Sequence, residues 1–125
     1  AADLAVPVPL SPARAAARGY NQVDLFARPL TRALGIAYAP AALVRVRETV
    51  SQVGLSGHAR RRNLASAFRA DETAVRGRNI LLLDDVFTTG STADACTRAL
   101  QEAGSGPVLV FTLARAIHEE AIKMR

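Results

Sequence analysis

Residues 79–92 of this chain read NILLLDDVFTTGST: four consecutive apolar residues, two adjacent carboxylates, then a loop rich in small hydroxyl-bearing residues. Ile80, Leu81, Leu82 and Leu83 show no polar alternation, so a strand made of them must be covered on both faces, the condition of an interior strand in a parallel sheet. Parallel strands in turn require long crossover connections, usually helices. The expected fold is therefore α/β, a three-layer α/β/α arrangement around a mostly parallel sheet. Asp84 and Asp85 end the run, which places two carboxylates at the carboxyl end of a buried strand, where open α/β sheets bind their ligands.

Thr88, Thr89, Gly90, Ser91 and Thr92 follow. Gly90 admits backbone angles closed to other residues, and the hydroxyls and amides around it make a phosphate cradle just before a helix. That helix is marked by Ala93, Cys96, Leu100 and Ala103 on one face, with Gly104 placed to end it. Its N-terminus points at the loop, and both its unpaired amides and its partial positive charge favour an anion. The carboxylates of Asp84 and Asp85 cannot bind phosphate; they would accept hydrogen bonds from sugar hydroxyls or hold a divalent cation through water. One loop thus suits a phosphorylated ribose. A Walker A loop needs a lysine after its last glycine, and the single lysine of the chain is Lys123. The plainer reading is a strand, turn and helix with polar caps, but a cap needs one hydroxyl, and here there are Thr88, Thr89, Ser91 and Thr92.

Taken from the start, Leu4–Pro9 reads as an apolar strand ended by prolines. Ser11 and Pro12 open a short helix closed by Gly19, with Arg14 and Arg18 on one face. Asn21 can cap a second helix that stops at Gly35, in which Pro29 predicts a kink or a division into two short helices. Ala42–Val46 is expected to be the second strand, completing a parallel strand-helix-strand crossover. Residues 47–64, RETVSQVGLSGHARRRNL, are too long for an ordinary connection and are expected to form a mobile lid. Arg60, Arg61 and Arg62 in it could clamp pyrophosphate, contact nucleic acid, or form a solvated charge run. His58 is a loop histidine, more readily exposed than catalytic. Turns at Asp71–Glu72 and Gly77 lead into the central strand, and Val108–Leu113 is the last strand.

Composition excludes several classes. With 125 residues, half of them hydrophobic, one domain over residues 1–125 is expected. No apolar run approaches the roughly 20 residues of a membrane helix, and the start lacks a signal-peptide pattern, so a cytoplasmic protein is expected. Cys96, the single cysteine, reads as a small core residue, and no cysteine-histidine metal site is available. The formal net charge is +5, carried by arginine. Guanidinium groups suit phosphate and pyrophosphate, while 5% aromatic content without tryptophan leaves few stacking platforms for single-stranded nucleic acid.

The apolar strand, acidic pair, hydrophobic pair and Thr-Thr-Gly-x-Thr order resembles the phosphoribosyl-pyrophosphate loop of type I phosphoribosyltransferases. VPVPLS at 6–11, RGYNQ at 18–22, Thr49 and Gln52, Arg60 and Asn63, Phe68, and TLAR at 112–115 together resemble the ComF/GntX family of competence-associated proteins over nearly the whole chain. That resemblance implies a phosphoribosyltransferase-like domain linked to natural transformation and DNA uptake, without the family's N-terminal zinc-ribbon-like segment, so that this sequence corresponds to a fragment. It implies phosphoribosyl pyrophosphate and Mg2+ as ligands. Asp84 and Asp85 would then hold ribose, Thr88, Thr89, Gly90, Ser91 and Thr92 the 5′-phosphate, and Arg18 with Arg60, Arg61 and Arg62 the pyrophosphate. Mg2+ would come with the substrate, touching Asp84 and Asp85 through water. Two classes stay open: a phosphoribosyltransferase, and a non-catalytic binding protein whose basic surface serves single-stranded DNA and competence helicase proteins.

Overall fold

A computed structural model describes residues 1–10, 17, 22–46, 67–84 and 90–112. In chain order the elements are β1 (Leu4–Pro7), α1 (Val23–Leu34), β2 (Ala37–Tyr38), β3 (Leu43–Arg45), β4 (Phe68–Ala70), α2 (Glu72–Val75), β5 (Ile80–Asp84), α3 (Ser91–Glu102) and β6 (Val108–Thr112). Four strands form one parallel sheet in the order β2-β1-β5-β6. The central position of β5 matches its composition, since Ile80 to Leu83 are all buried. Alternate residues face opposite layers: Leu81, Leu83 and Ala5 pack with Val23 and Ala27 of α1. Ile80, Leu82, Leu4 and Val6 join Cys96, Ala99 and Leu100 of α3 with Leu43 and Phe68.

The two crossovers leave the middle of the sheet in opposite directions, β1 to β2 one way and β5 to β6 the other. Crossovers of one hand that travel in opposite directions put their helices on opposite faces, which is why α1 and α3 sandwich the sheet.

The partner strand of the first crossover is Ala37–Tyr38, and Ala42–Val46 does not take that place: Leu43–Arg45 pairs antiparallel with Phe68–Ala70 in a separate ribbon. Ala39 still donates to the Ala5 carbonyl at 2.9 Å, but Pro40 has no amide to continue the ladder. It occupies the second position of a turn in which Ala42 donates to the Ala39 carbonyl at 3.3 Å, a position its fixed φ suits. β1 likewise ends at Pro7, short of Pro9. Ala5 bonds towards β2, and Val8 donates towards β5 at Leu83, so alternation aims the donor-less nitrogen of Pro7 past the end of β2.

Pro29 divides nothing, as α1 runs as one helix from Val23 to Leu34. Pro29 is exposed, and water can serve the Leu25 carbonyl that loses its helical donor. Gly35, at φ 70, closes α1, with Ile36 donating back to Thr31 at 3.1 Å. Gly104 plays the same part after α3, at φ 99, where Ser105 donates to Leu100 at 3.1 Å; both ends use the left-handed glycine closure. The turn expected at Asp71–Glu72 opens the short helix α2, capped by the Asp71 carboxylate, which accepts from the Thr73 amide and hydroxyl. Asn21 and the helix expected between Ser11 and Gly19 lie outside the described residues, apart from Ala17, which is helical.

Because Leu82 is fully buried in the larger core and Leu109 on the edge strand is 66% exposed, Leu82→Ala should cost about 2–5 kcal/mol. Leu109→Ala should cost less than about 0.5 kcal/mol. Urea denaturation of the two variants checks the contrast.

Candidate functional site

The sheet order reverses between β1 and β5, so the crevice beyond their carboxyl ends is the topological switch point at which open α/β sheets hold ligands. Asp84, the half-buried last residue of β5, stands at this edge, in register with the buried Thr112 of β6. Its position follows from the run before it: a charge cannot be buried among Ile80 to Leu83 without a large desolvation cost, so the carboxylate appears where the strand leaves the core.

α3 returns to the same edge. Gly90 precedes it at φ 82, an angle costly for any residue with a Cβ, and the Gly90 carbonyl accepts the first helical bond from Asp94 at 2.9 Å. Glycine has no side-chain oxygen to cap the first-turn amides, so this helix start presents donors in the manner of anion-binding N-termini. Ser91 and Thr92 open the helix. The structure thus brings Asp84 and the Gly90–Thr92 start of α3 to one edge of the sheet. Asp85, Thr88 and Thr89 fall in 85–89, outside the described residues, as do Arg18, His58, Arg60, Arg61, Arg62 and the whole stretch expected to be a lid.

Cys96, in the second turn of α3, is buried. Its thiol pKa is pushed up, first by burial and then by the negative charge of Asp84, against a smaller opposing effect of Arg45. Arg45 did not stand out in the sequence, because its placement depends on the antiparallel ribbon: it faces Phe68 across β3 and β4, with its guanidinium carbon 5.3 Å from the ring centroid. On the opposite layer the Tyr38 hydroxyl hydrogen-bonds the Asp24 carboxylate, and the Arg28 guanidinium lies 5.3 Å over the Tyr38 ring. Burial and that carboxylate both raise the Tyr38 pKa, so the neutral phenol ties α1 to β2. Among the described residues no group of three or more His, Cys, Asp or Glu side chains could hold a metal ion, and no helix is long and apolar enough to cross a membrane.

These features define a class, the α/β fold of the type I phosphoribosyltransferases. The structure is similar to the allosteric regulatory enzyme of purine biosynthesis, with TM-score 0.57 and 24% identity over 90% of this chain and 22% of that one. It is similar to glutamine phosphoribosylpyrophosphate amidotransferase from B. subtilis, with TM-score 0.56 and 23% identity over 90% of this chain and 22% of that one. Adenine phosphoribosyltransferase from Thermoanaerobacter pseudethanolicus gives TM-score 0.56 and 18% identity over 90% of this chain and 57% of that one. At these identities the likeness is one of fold.

Sequence comparison then narrows the class. The chain is 42% identical over 115 residues to DNA utilization protein YhgH of Escherichia coli (strain K12), covering 92% of this chain and 50% of that protein. It is 41% identical over 113 residues to competence protein F of Haemophilus influenzae, covering 89% and 49%. To competence protein ComFC of Streptococcus pneumoniae it is 34% identical over 110 residues, covering 88% and 47%. The chain spans about half the length of these curated relatives, and across that half it is a homologue of proteins named DNA utilization protein YhgH, competence protein F and competence protein ComFC. No protein-family profile matches it.

With its thiol buried and its pKa raised, Cys96 should alkylate at pH 8 more than about tenfold slower than a free cysteine, the thiolate being the reactive form. Labelling with iodoacetamide should reach completion only in denaturant.

Proposed function

We propose that this phosphoribosyltransferase-like domain binds phosphoribosyl pyrophosphate with Mg2+ at the carboxyl edge of β1 and β5, and that it serves DNA uptake. The observation that carries the reading is the meeting of Asp84 with the start of α3 at Gly90, at the switch point of the sheet. In this reading Asp84 and Asp85 accept hydrogen bonds from the ribose hydroxyls and fix the sugar. Amides and hydroxyls of Thr88, Thr89, Gly90, Ser91 and Thr92 hold the 5′-phosphate. Arg18, Arg60, Arg61 and Arg62 surround the pyrophosphate, whose bond to the sugar breaks as an acceptor nucleophile bonds to the same carbon. No protein nucleophile is required; positioning and charge lower the barrier. Mg2+ would come with the substrate pyrophosphate and keep several of its waters, through which Asp84 and Asp85 would touch it. When bound, the ion neutralises charge on the pyrophosphate oxygens.

Calorimetry with Mg2+ present tests the site. Saturable binding of phosphoribosyl pyrophosphate or ribose 5-phosphate is expected, weakened about tenfold or more by Asp85→Asn, which removes a charged hydrogen-bond acceptor, and by Gly90→Val, which cannot hold φ 82. No heat with either ligand would overturn the reading. Pyrophosphate release over a panel of amines and bases, measured on the full-length protein, separates transfer from binding alone.

The names of the relatives, together with the +5 charge, favour a nucleic-acid role beside the pocket. Contact through Arg60, Arg61 and Arg62 should be weak, indifferent to sequence and competitive with phosphoribosyl pyrophosphate. A salt titration of single-stranded DNA binding should show log affinity falling by about 0.7 per phosphate contact for each tenfold rise in salt. Salt-insensitive binding, or binding unchanged when all three arginines become alanine, would return the cluster to a solvated charge run.

A further inference from the structure

Among the described residues two polar side chains are buried, Thr31 and Thr112. The hydroxyl of Thr31 donates to the Ala27 carbonyl at 2.8 Å, the back-bond by which a helix satisfies a threonine turned inward. Thr112, the last residue of β6 and the first of the TLAR stretch, is 6% exposed, and among the described residues its hydroxyl makes no hydrogen bond. A buried hydroxyl without a partner costs free energy, and valine would fill the same place in a strand without that cost. Stability therefore does not account for a hydroxyl here.

Register and alternation fix its direction. Asp84 is the partner of Thr112 across β5 and β6. Ile80 and Leu82 face the α3 layer, where Val108 packs with them, whereas Leu81, Leu83 and Phe111 face α1. Side chains alternate along a strand, so Asp84 and Thr112 both lie on the α3 layer, their backbones one strand spacing of about 4.8 Å apart. α3 is the crossover from β5 to β6, so its start at Gly90–Thr92 stands over the carboxyl ends of both. The Thr112 hydroxyl thus lies at the ligand edge, beside the strand-end carboxylate and under the start of the helix.

A phosphate at this point would stand against a carboxylate. A sugar hydroxyl suits it, giving its proton to the carboxylate and accepting one from a neighbouring hydroxyl. Asp84 keeps the interaction it already has, since a carboxylate offers about four acceptor positions. We infer that Thr112 is a ligand-contacting residue of this site, its hydroxyl donating to a ribose hydroxyl of the phosphoribosyl ligand on the β6 side of Asp84. Thr112 takes this role on the phosphoribosyl reading given above, to which it adds the end of β6.

Calorimetry with phosphoribosyl pyrophosphate, ribose 5-phosphate and inorganic pyrophosphate, each with Mg2+, tests the assignment on the wild-type chain, Thr112→Val and Thr112→Ser, alongside urea denaturation without ligand. Thr112→Val should unfold at a urea concentration equal to or above that of wild type, because a methyl replaces an unpaired hydroxyl. It should bind the two ribosyl ligands about threefold to tenfold more weakly, the range of one neutral hydrogen bond. Inorganic pyrophosphate, which has no sugar, should bind as to wild type, and Thr112→Ser, which keeps the hydroxyl, should recover most of the loss. A Thr112→Val midpoint below that of wild type overturns the proposal, since the hydroxyl then has a structural partner. A loss that extends equally to pyrophosphate, or that Thr112→Ser shares in full, overturns it too. A wild-type chain that binds neither ribosyl ligand refutes the phosphoribosyl reading itself, whereas wild-type binding left intact by Thr112→Val refutes the role of Thr112 alone.

Discussion

Everything in this fold depends on burying β5 from both sides. A strand with leucine or isoleucine at four successive positions presents large apolar groups to both layers, each contributing about 1.5–3 kcal/mol when withdrawn from water. No single helix can cover it. α1 supplies one cover, through Val23 and Ala27 over Leu81 and Leu83. α3 and the β3-β4 ribbon supply the other, over Ile80 and Leu82. The oppositely directed crossovers are the topology that delivers a helix to each face, and the same reversal opens the crevice between β1 and β5.

The candidate site is a by-product of that burial. Where β5 leaves the core the chain can carry a charge again, and Asp84 stands there. α3 must begin near the same edge to run back along the sheet, which brings its donor-rich start beside the carboxylate. Apart from Leu100, the buried residues of α3 and its C-cap are small: Ala93, Ala95, Cys96, Ala99 and Ala103. Small side chains let a helix approach its neighbours closely, and here they bring Cys96 within the electrostatic reach of both Asp84 and Arg45.

Residues with unusual backbone demands mark several element ends. Gly35 and Gly104 close helices in the left-handed region, Gly90 opens one there, and Pro40 turns the chain out of the sheet. The chain after Pro40 therefore forms a ribbon over α3 and does not extend the sheet. That diversion carries Arg45 to its place. The link between Tyr38, Asp24 and Arg28 secures α1 to a two-residue edge strand that few backbone hydrogen bonds hold.

Local pattern alone determined the buried central strand, its carboxylate end, the helix after it with its glycine stop, and the parallel α/β class, because each rests on periodicity or backbone restriction confined to neighbouring residues. Pro29 misled only as a divider of the helix, because its cost depends on whether the orphaned carbonyl meets water, which requires knowing the buried face. Leu43–Arg45 misled as a parallel strand because its apolar run is as compatible with one sheet as with another; pairing is settled by which edges are near, a property of the assembled chain. The placing of Arg45 against Phe68, and of their ribbon against α3, joins residues far apart in sequence, and only the tertiary packing of the ribbon on the helix decided it.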